Sequence, residues 1–204
     1  MSNKKRMTLE IISMVFVFLT VLVKTNLIEK FDTAIYNLIT FKMTNFLTTF
    51  YKFFTFLGST IFIVSLTVVL FFLFLILKKK NTSFIIAIVI IISTLVNNVI
   101  KLVIRRERPI VLRLVEEKSF SFPSGHTMAA VTMYGILLYL VLKSNMNKHL
   151  KRIFSIILAL IPILVSLSRV YLGAHFASDV FGAFLMSIIL LLIETYYIDK
   201  NNWL

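Results

Sequence analysis

The sequence predicts an all-α integral membrane protein: a bundle of six membrane-spanning helices with an additional interfacial helix between the first two spans. Of its 204 residues, 59% are hydrophobic and the mean hydropathy is +0.94, whereas roughly half of a soluble domain is apolar. The apolar residues form six runs, each close to the ~20 residues that a helix needs to cross the hydrocarbon core. Little sequence remains for a soluble module, so we expect one domain over residues 1–204.

The six runs lie near residues 7–23, 58–77, 84–104, 126–142, 153–168 and 176–198. The first follows a basic segment at 4–6 that resembles the start of a signal peptide. No alanine precedes Ala34, so an Ala-x-Ala cleavage site is missing and we interpret the run as a retained anchor helix. Residues 31–56 alternate Phe with Lys, Thr and Asn, which is typical of a helix lying in the membrane interface. This segment either anchors the bundle or forms a floor beside a lipid-entry portal.

The net charge of +13 does not indicate a nucleic-acid partner, because the 22 Lys and Arg residues are dispersed among the apolar runs rather than gathered in a basic domain. A cytoplasmic N-terminus places the basic residues at 78–80 and 143–152 inside, as the positive-inside rule prefers, and the C-terminus is then cytoplasmic too. The Lys and Arg counts of the two sides are nevertheless equal, so we expect function to hold the outer cations. The absence of cysteine excludes disulfides, thiolate catalysis and cysteine-ligated metals.

A turn at residues 120–127 leads into the fourth run and has features of an anion site. Pro123 presets its own φ and Ser124 is a preferred N-cap, so the next helix begins with unpaired backbone N–H groups. Such amides, beginning at Gly125, suit a phosphate because they lie at the positive end of the helix dipole. His126 adds a group that exchanges a proton near neutral pH. An ordinary turn is the alternative interpretation.

Cations interrupt the end of the third run. If the helix continues to its end, Lys101, Arg105 and Arg108 share one face, whereas Arg106 points elsewhere. A bound polyanion would offset the repulsion among these charges and the cost of Lys101 in the membrane. A run of cations that snorkels to lipid head groups is the alternative. In the loop that follows, Glu117 is expected to be solvated.

The fifth run ends near Arg169, and Gly173 permits the turn into the sixth. There His175 and Asp179 are four residues apart on one helical face, where the carboxylate can accept a hydrogen bond from one imidazole nitrogen. The other nitrogen is then free to act as a nucleophile or base. An intramembrane hydrogen bond that stabilises the bundle is the alternative.

Alternate spans reverse direction, so all three clusters are expected at one membrane face. The residues that meet there are Lys101, Arg108, Ser124, His126, Arg169, His175 and Asp179. They include no carboxylate-rich or histidine-rich set of metal ligands, and we predict neither a metal nor a cofactor.

With these clusters the sequence resembles the type 2 phosphatidic acid phosphatase superfamily, which also includes bacterial undecaprenyl-diphosphate and phosphatidylglycerophosphate phosphatases. The family's three motifs match in order and spacing: Lys101 with six residues then Arg108-Pro109, Pro123-Ser124-Gly125-His126, and Ser168-Arg169 with five residues then His175 and three more before Asp179.

The resemblance implies a two-step, metal-independent phosphoryl transfer. His175 attacks phosphorus to form a phosphohistidine, His126 protonates the leaving oxygen, and water hydrolyses the intermediate, while Asp179 fixes the tautomer of His175. The implied ligands of the phosphoryl oxygens are Lys101, Arg108, Ser124, the Gly125 amide and Arg169. Because His175 must start neutral and His126 charged, we predict a bell-shaped pH dependence.

The first functional hypothesis is therefore an integral-membrane lipid phosphate phosphatase with its site on the extracytoplasmic face. Undecaprenyl diphosphate and phosphatidylglycerophosphate are preferred over phosphatidic acid as substrates, because a small chain without a soluble module resembles a bacterial envelope enzyme. Two alternatives stay open: phosphotransfer from one lipid to another at the same site, and a non-catalytic phospholipid-binding or transport protein. The last has no evident use for His175 with Asp179.

Overall fold

The computed structural model describes residues 3–204, which form eight α-helices and no strand. The helices are α1 (Asn3–Lys24), α2 (Glu29–Thr40), α3 (Asn45–Leu57), α4 (Thr60–Ile76), α5 (Lys80–Ile104), α6 (Gly125–Lys143), α7 (Lys148–Tyr171) and α8 (Ala177–Lys200). Five of them, α1 and α5 to α8, are long and apolar enough to cross a membrane, and α3 with α4 is a sixth candidate bent by 45°. The predicted all-α, multi-pass class is confirmed.

The segment between the first two predicted spans forms two helices rather than one. Residues 41–44 interrupt it, and the Thr44 side chain then caps α3 by accepting a hydrogen bond from the Leu47 amide at 3.2 Å. A second cap, Ser59, accepts from the Phe62 amide at 3.2 Å and begins α4. The Ser59 cap, which directly follows the C-cap of α3 at Gly58, thus accounts for the bend between α3 and α4.

Both of these short helices pack on the bundle. In α3, the Tyr51 ring lies 4.5 Å from the ring of Tyr171 in α7, and the Thr48 hydroxyl is 3.1 Å from the Tyr171 hydroxyl. In α2, the side chain of Asp32 is buried and accepts a hydrogen bond from the Ser178 amide of α8 at 2.8 Å. These contacts bring α2 and α3 to the end of the bundle where α7 ends and α8 begins.

The centre of the bundle is mainly apolar and includes a few polar contacts between helices. One buried apolar cluster joins four helices through Ile63 of α4, Ile86 of α5, Met133 of α6 and Val165 of α7. A hydrogen bond of 3.0 Å joins Ser93 to Thr132 within this core. Large apolar side chains on the outer faces of α1, α4 and α5 are exposed in the isolated chain, as suits surfaces that face lipid.

The two ends of the bundle differ in chemistry. At one end, Lys143 of α6 lies 2.6 Å and Lys5 of α1 lies 3.8 Å from the carboxylate of Asp199. At the other end, the Ser124 amide donates to the Asp179 carbonyl at 3.1 Å, which joins the start of α6 to the start of α8. The sequence clusters therefore converge at this second end.

Candidate active site

The helix that carries the first cluster ends earlier than predicted. The chain leaves α5 after Ile104, and Arg105 adopts the left-handed conformation with φ 53°. The expectation that Lys101, Arg105 and Arg108 share one helical face is therefore wrong. Arg105 is exposed, and its side chain donates to the Leu102 carbonyl at 2.9 Å. Arg108 precedes a proline, which disfavours the helical conformation, and it reaches the site from the following loop.

The loop after α5 holds the two cations of the first cluster in place. Lys101 is 8% exposed, and its ammonium group donates to the Ser119 hydroxyl at 3.2 Å and to the Phe120 carbonyl. Arg108 donates to the Ser119 carbonyl and to the Ala174 carbonyl, each at 2.7 Å. Carbonyl oxygens thus orient both cations without neutralising their charge.

His175 lies in the loop between α7 and α8. Gly173 makes this turn at φ 68°, and a Cβ there would lie 2.5 Å from the Leu112 carbonyl oxygen. The prediction that His175 and Asp179 share one helical face is wrong, because α8 begins only at Ala177. The two side chains are nevertheless in contact. One carboxylate oxygen of Asp179 accepts a hydrogen bond from the Phe176 amide at 3.0 Å and lies 3.4 Å from His175 Nδ1.

The contacts of His175 define its tautomer. Its Nε2 lies 3.2 Å from Nη1 of Arg108, and a guanidinium group can only donate, so Nε2 accepts and Nδ1 carries the proton. Burial, together with the nearby charges of Arg169 and Arg108, lowers the pKa of His175 despite the opposing effect of Asp179. The ring is therefore neutral at pH 7, with its unprotonated nitrogen next to Arg108.

The second cluster has the predicted helix start. Ser124 is buried and is the N-cap of α6, and its hydroxyl accepts from the Thr127 amide at 3.4 Å. Gly125 and His126 follow on the first turn and line the same pocket as His175. The His126 side chain is 20% exposed, and its Nδ1 lies 3.5 Å from a carboxylate oxygen of Glu117.

Glu117 is not solvated as expected but lies among the cations of the site. Its carboxylate accepts from Arg169 and lies 3.9 Å from Nη2 of Arg108, besides its approach to His126. Arg169 is 1% exposed, its other terminal nitrogen donates to Thr55 of α3, and its Nε has no hydrogen-bond partner among the described residues. One carboxylate thus contacts three groups from three different clusters.

Several of these groups line a cavity of about 190 Å³, whereas Ser124, Arg169 and Asp179, which were also predicted for the site, do not line it. Its polar lining includes Lys101, Arg108, Glu117, Ser119, Gly125, His126 and His175. From there the cavity extends between α4 and α5 along Ile63, Val64 and Ile90. Within residues 3–204, no group of three or more His, Asp or Glu side chains is placed to hold a metal ion.

Comparison with known proteins identifies this constellation. The family model of the PAP2 superfamily matches residues 82–203, a stretch that contains all three clusters. The chain belongs to the PAP2 superfamily. This membership makes it a phosphatase, and the apolar helices make it a multi-pass membrane protein.

Three comparisons illustrate the similarity. Phosphatidylglycerophosphatase B of Bacillus subtilis (strain 168) is 33% identical over 187 residues, which cover 91% of this chain and 92% of that protein. The crystal structure of a transmembrane PAP2-type phosphatidylglycerolphosphate phosphatase from Bacillus subtilis superposes with a TM-score of 0.86 at 32% identity and covers 94% of this chain and 96% of that one. The crystal structure of Aquifex aeolicus LpxE has a TM-score of 0.65 at 26% identity, over 81% and 94% of the two chains.

Five further residues around the PAP2 motifs, besides Glu117, were not predicted as part of the site. They are Asp32, Thr55, Arg106, Ser119 and Ser121. Arg106 and Ser121 contact Asp179, Thr55 contacts Arg169, and Ser119 contacts Lys101 and Arg108, whereas Asp32 contacts Arg106, which lies within the first motif but is not one of its defining residues. Asp32 carried the only usable signal, since an acidic residue in an apolar interfacial segment is costly unless it is paired. The others have no distinguishing pattern in the sequence.

Proposed function

We propose that the chain is an integral-membrane lipid phosphatase that hydrolyses phosphatidylglycerophosphate through a phosphohistidine formed on His175. The observation that carries the proposal is the position of the Glu117 carboxylate. It contacts Arg169, His126 and, at 3.9 Å, Arg108, while Arg108 also contacts His175. A phosphoryl group that replaces this carboxylate would meet the same cations next to the nucleophile.

The reaction has two steps, and two observations support them: the unprotonated Nε2 of His175 and the approach of Glu117 to Nδ1 of His126. Nε2 of His175 attacks phosphorus, the bond to the leaving oxygen breaks, and His126 donates a proton to that oxygen. Water then attacks the phosphohistidine, His126 takes up the proton, and inorganic phosphate leaves with His175 restored. Asp179 accepts from Nδ1 throughout and stabilises the positive charge that develops on the ring. Opposite initial states of the two histidines give a bell-shaped dependence of kcat/KM on pH.

Fixed cations of the protein supply the charge stabilisation. Phosphoryl transfer depends mainly on positioning and electrostatics, and one arginine can be worth about 10³–10⁵ in rate. Arg108 and Arg169 each offer a planar fork to two oxygens, and Lys101 adds a point charge. The unpartnered Nε of Arg169 is a donor that a phosphoryl oxygen would satisfy. We therefore propose that hydrolysis needs no divalent metal ion.

The shape of the cavity supports a lipid substrate. Its polar end holds the phosphoryl group, and its apolar extension between α4 and α5 suits the start of an acyl chain whose remainder stays in the bilayer. The relatives named for phosphatidylglycerophosphate favour that lipid as the substrate. Undecaprenyl diphosphate and phosphatidic acid are the next candidates because they carry the same phosphoryl group on a lipid.

The test is phosphate release by the purified protein in detergent micelles, with phosphatidylglycerophosphate, undecaprenyl diphosphate and phosphatidic acid compared in the presence of EDTA. We expect release to be fastest from phosphatidylglycerophosphate. We also expect His175→Ala to lose at least ~10³-fold in kcat, since a nucleophile acts together with its partners. His149→Ala is the matched control, because His149 is exposed at the start of α7.

Three outcomes would contradict the proposal. Full activity of His175→Ala would exclude a phosphohistidine on His175. Activity that returns only with added divalent ions would exclude the metal-free mechanism. Phosphate that appears only on an acceptor lipid would make the chain a lipid-to-lipid phosphotransferase.

A further inference from the structure

Arg106 donates to three side chains beside the active site, although it does not line the cavity that holds His175. Its guanidinium donates through Nη1 to Asp179 Oδ1 and to the Ser178 hydroxyl, each at 2.7 Å, and through Nη2 to Asp32 Oδ2 at 2.7 Å. It also lies 4.0 Å from the centre of the Phe176 ring. Its side chain is 8% exposed, so these bonds form away from bulk water.

Asp32 completes the cluster from α2. Its two carboxylate oxygens accept from Arg106 and from both the amide and the hydroxyl of Ser178, at 2.7–2.8 Å. The side chains of Asp32 and Asp179 are both 0% exposed. A buried arginine shared by two buried carboxylates in this geometry has little rotational freedom, because a guanidinium fork fixes direction as well as distance.

The backbone of Arg106 extends the same restraint to Asp179 by a second route. The Arg106 carbonyl accepts from the Ser121 amide at 2.8 Å, and the Ser121 hydroxyl donates to Asp179 Oδ2. The Arg106 side chain therefore holds Oδ1 of Asp179 directly, whereas Oδ2 is held by Ser121, which contacts the Arg106 backbone, and by the Phe176 amide. Oδ2 of Asp179 also lies 3.4 Å from Nδ1 of His175.

We propose that Asp32 and Arg106 are positioning residues for phosphoryl transfer, which hold Asp179, and through it His175, in the attacking orientation. The proposal rests on the proposed function, because it assigns these residues to the phosphohistidine step. Neither side chain lines the cavity that holds His175. Their loss is therefore expected to slow the formation of the phosphohistidine while substrate binding by Lys101, Arg108 and Arg169 is kept.

The charges predict opposite effects of the two residues on the titration of His175. The charged or titratable groups that face His175 are Asp179 of α8, Arg169 of α7, Arg108 of the loop and His126 of α6. Removing the positive charge of Arg106 leaves the negative charge of Asp179 less compensated, which favours the protonated form of the His175 ring. The acidic limb of the kcat/KM profile then moves to higher pH. Removing the negative charge of Asp32 leaves Arg106 to neutralise Asp179 and moves that limb to lower pH.

The experiment compares kcat, KM and the pH profile for phosphate release from phosphatidylglycerophosphate micelles. The variants are Arg106→Gln, Arg106→Lys, Asp32→Asn and the double variant Asp32→Asn with Arg106→Gln. Arg105→Gln and Glu29→Gln are matched controls, because both residues are exposed and lie within three residues of the tested positions. The double variant leaves no unpaired buried charge from this pair, so it keeps the test decisive if Arg106→Gln does not fold.

We expect kcat to fall by about 10–100-fold in Arg106→Gln and Asp32→Asn, the range usual for loss of an outer-shell partner, with KM near that of the wild type. The acidic limb should move up in the first variant and down in the second. Arg106→Lys should retain more activity than Arg106→Gln, and both controls should match the wild type.

The positioning role is overturned if the folded single variants keep wild-type kcat, or if kcat falls while the acidic limb stays where it is. It is also overturned if a folded double variant keeps wild-type kcat. A failure of the proposed function looks different, because wild-type protein would then release no phosphate, or His175→Ala would be as active as the wild type.

Discussion

Glu117 shows how a single carboxylate can pair with the buried cation of a site. Arg169 is almost inaccessible to solvent, and an unpaired buried charge is costly. The Glu117 carboxylate pairs with it and lies near His126 and Arg108. A phosphoryl group would need the same donors, so a substrate must displace this carboxylate or share its partners.

Replacement of Glu117 by Gln is therefore expected to tighten the binding of phosphate. The amide competes less well for Arg169, and inorganic phosphate should inhibit hydrolysis with a Ki about 10-fold lower, which corresponds to about 1.4 kcal/mol. The measurement is product inhibition at several substrate concentrations. Glu116→Gln is the control, because Glu116 is exposed. An unchanged Ki in Glu117→Gln would show that the carboxylate does not occupy the phosphate position.

At the scale of elements, the turn between α7 and α8 decides where the nucleophile lies. The amides of Ala174 and His175 both donate to the Arg169 carbonyl, at 3.0 and 3.2 Å, so the last turn of α7 wraps directly into the loop. Gly173 reverses the chain at positive φ in contact with the Leu112 carbonyl. The position of His175 thus depends on a backbone conformation that L side chains rarely adopt.

Gly173→Ala is expected to lower both stability and activity. The left-handed conformation costs a non-glycine residue about 1–2 kcal/mol, and the new Cβ would meet a backbone oxygen at 2.5 Å. Thermal unfolding in detergent and kcat measure the two effects. Gly135→Ala is the control, because its Cβ would meet only the flexible end of Leu191. Wild-type kcat in Gly173→Ala would mean that the turn does not position His175.

At the scale of the whole molecule, the proposed orientation follows from the distribution of cations. Four of the cations at this end, Lys101, Arg106, Arg108 and Arg169, have bonded partners around the candidate site, so the site accounts for their presence there. When these four are set aside, the remaining bias of Lys and Arg residues favours a cytoplasmic position for the opposite end, which contains Lys5, Lys143 and Asp199.

Thiol labelling of intact cells can test this orientation, because the chain has no cysteine of its own. Lys118→Cys places a thiol in the exposed loop beside the site, and Asn145→Cys places one in the loop between α6 and α7. A membrane-impermeant maleimide should label only the first in intact cells and both after permeabilisation. The reverse pattern would place the site in the cytoplasm.

The local sequence predicted the helices well where hydropathy or a polar cap marks the boundary. Ser124 caps α6 as expected. The start of α7 was placed five residues late, at 153 rather than 148, because its first turn is polar and is capped by the Asn147 side chain. The early end of α5 at Ile104 was missed because nothing in the sequence distinguishes Arg105 from another helical residue before it adopts positive φ.

By itself, the sequence determined the multi-pass helical class, because mean hydropathy and run length are properties of local composition. Motif order and spacing also determined the family, and the reversal of successive spans predicted that distant motifs would meet. Only the tertiary structure decided which polar side chains become partners, such as Asp32 and Arg106, which are 74 residues apart. The physical reason is that buried charges are paired through the packing of helices, and that packing has no period in the sequence.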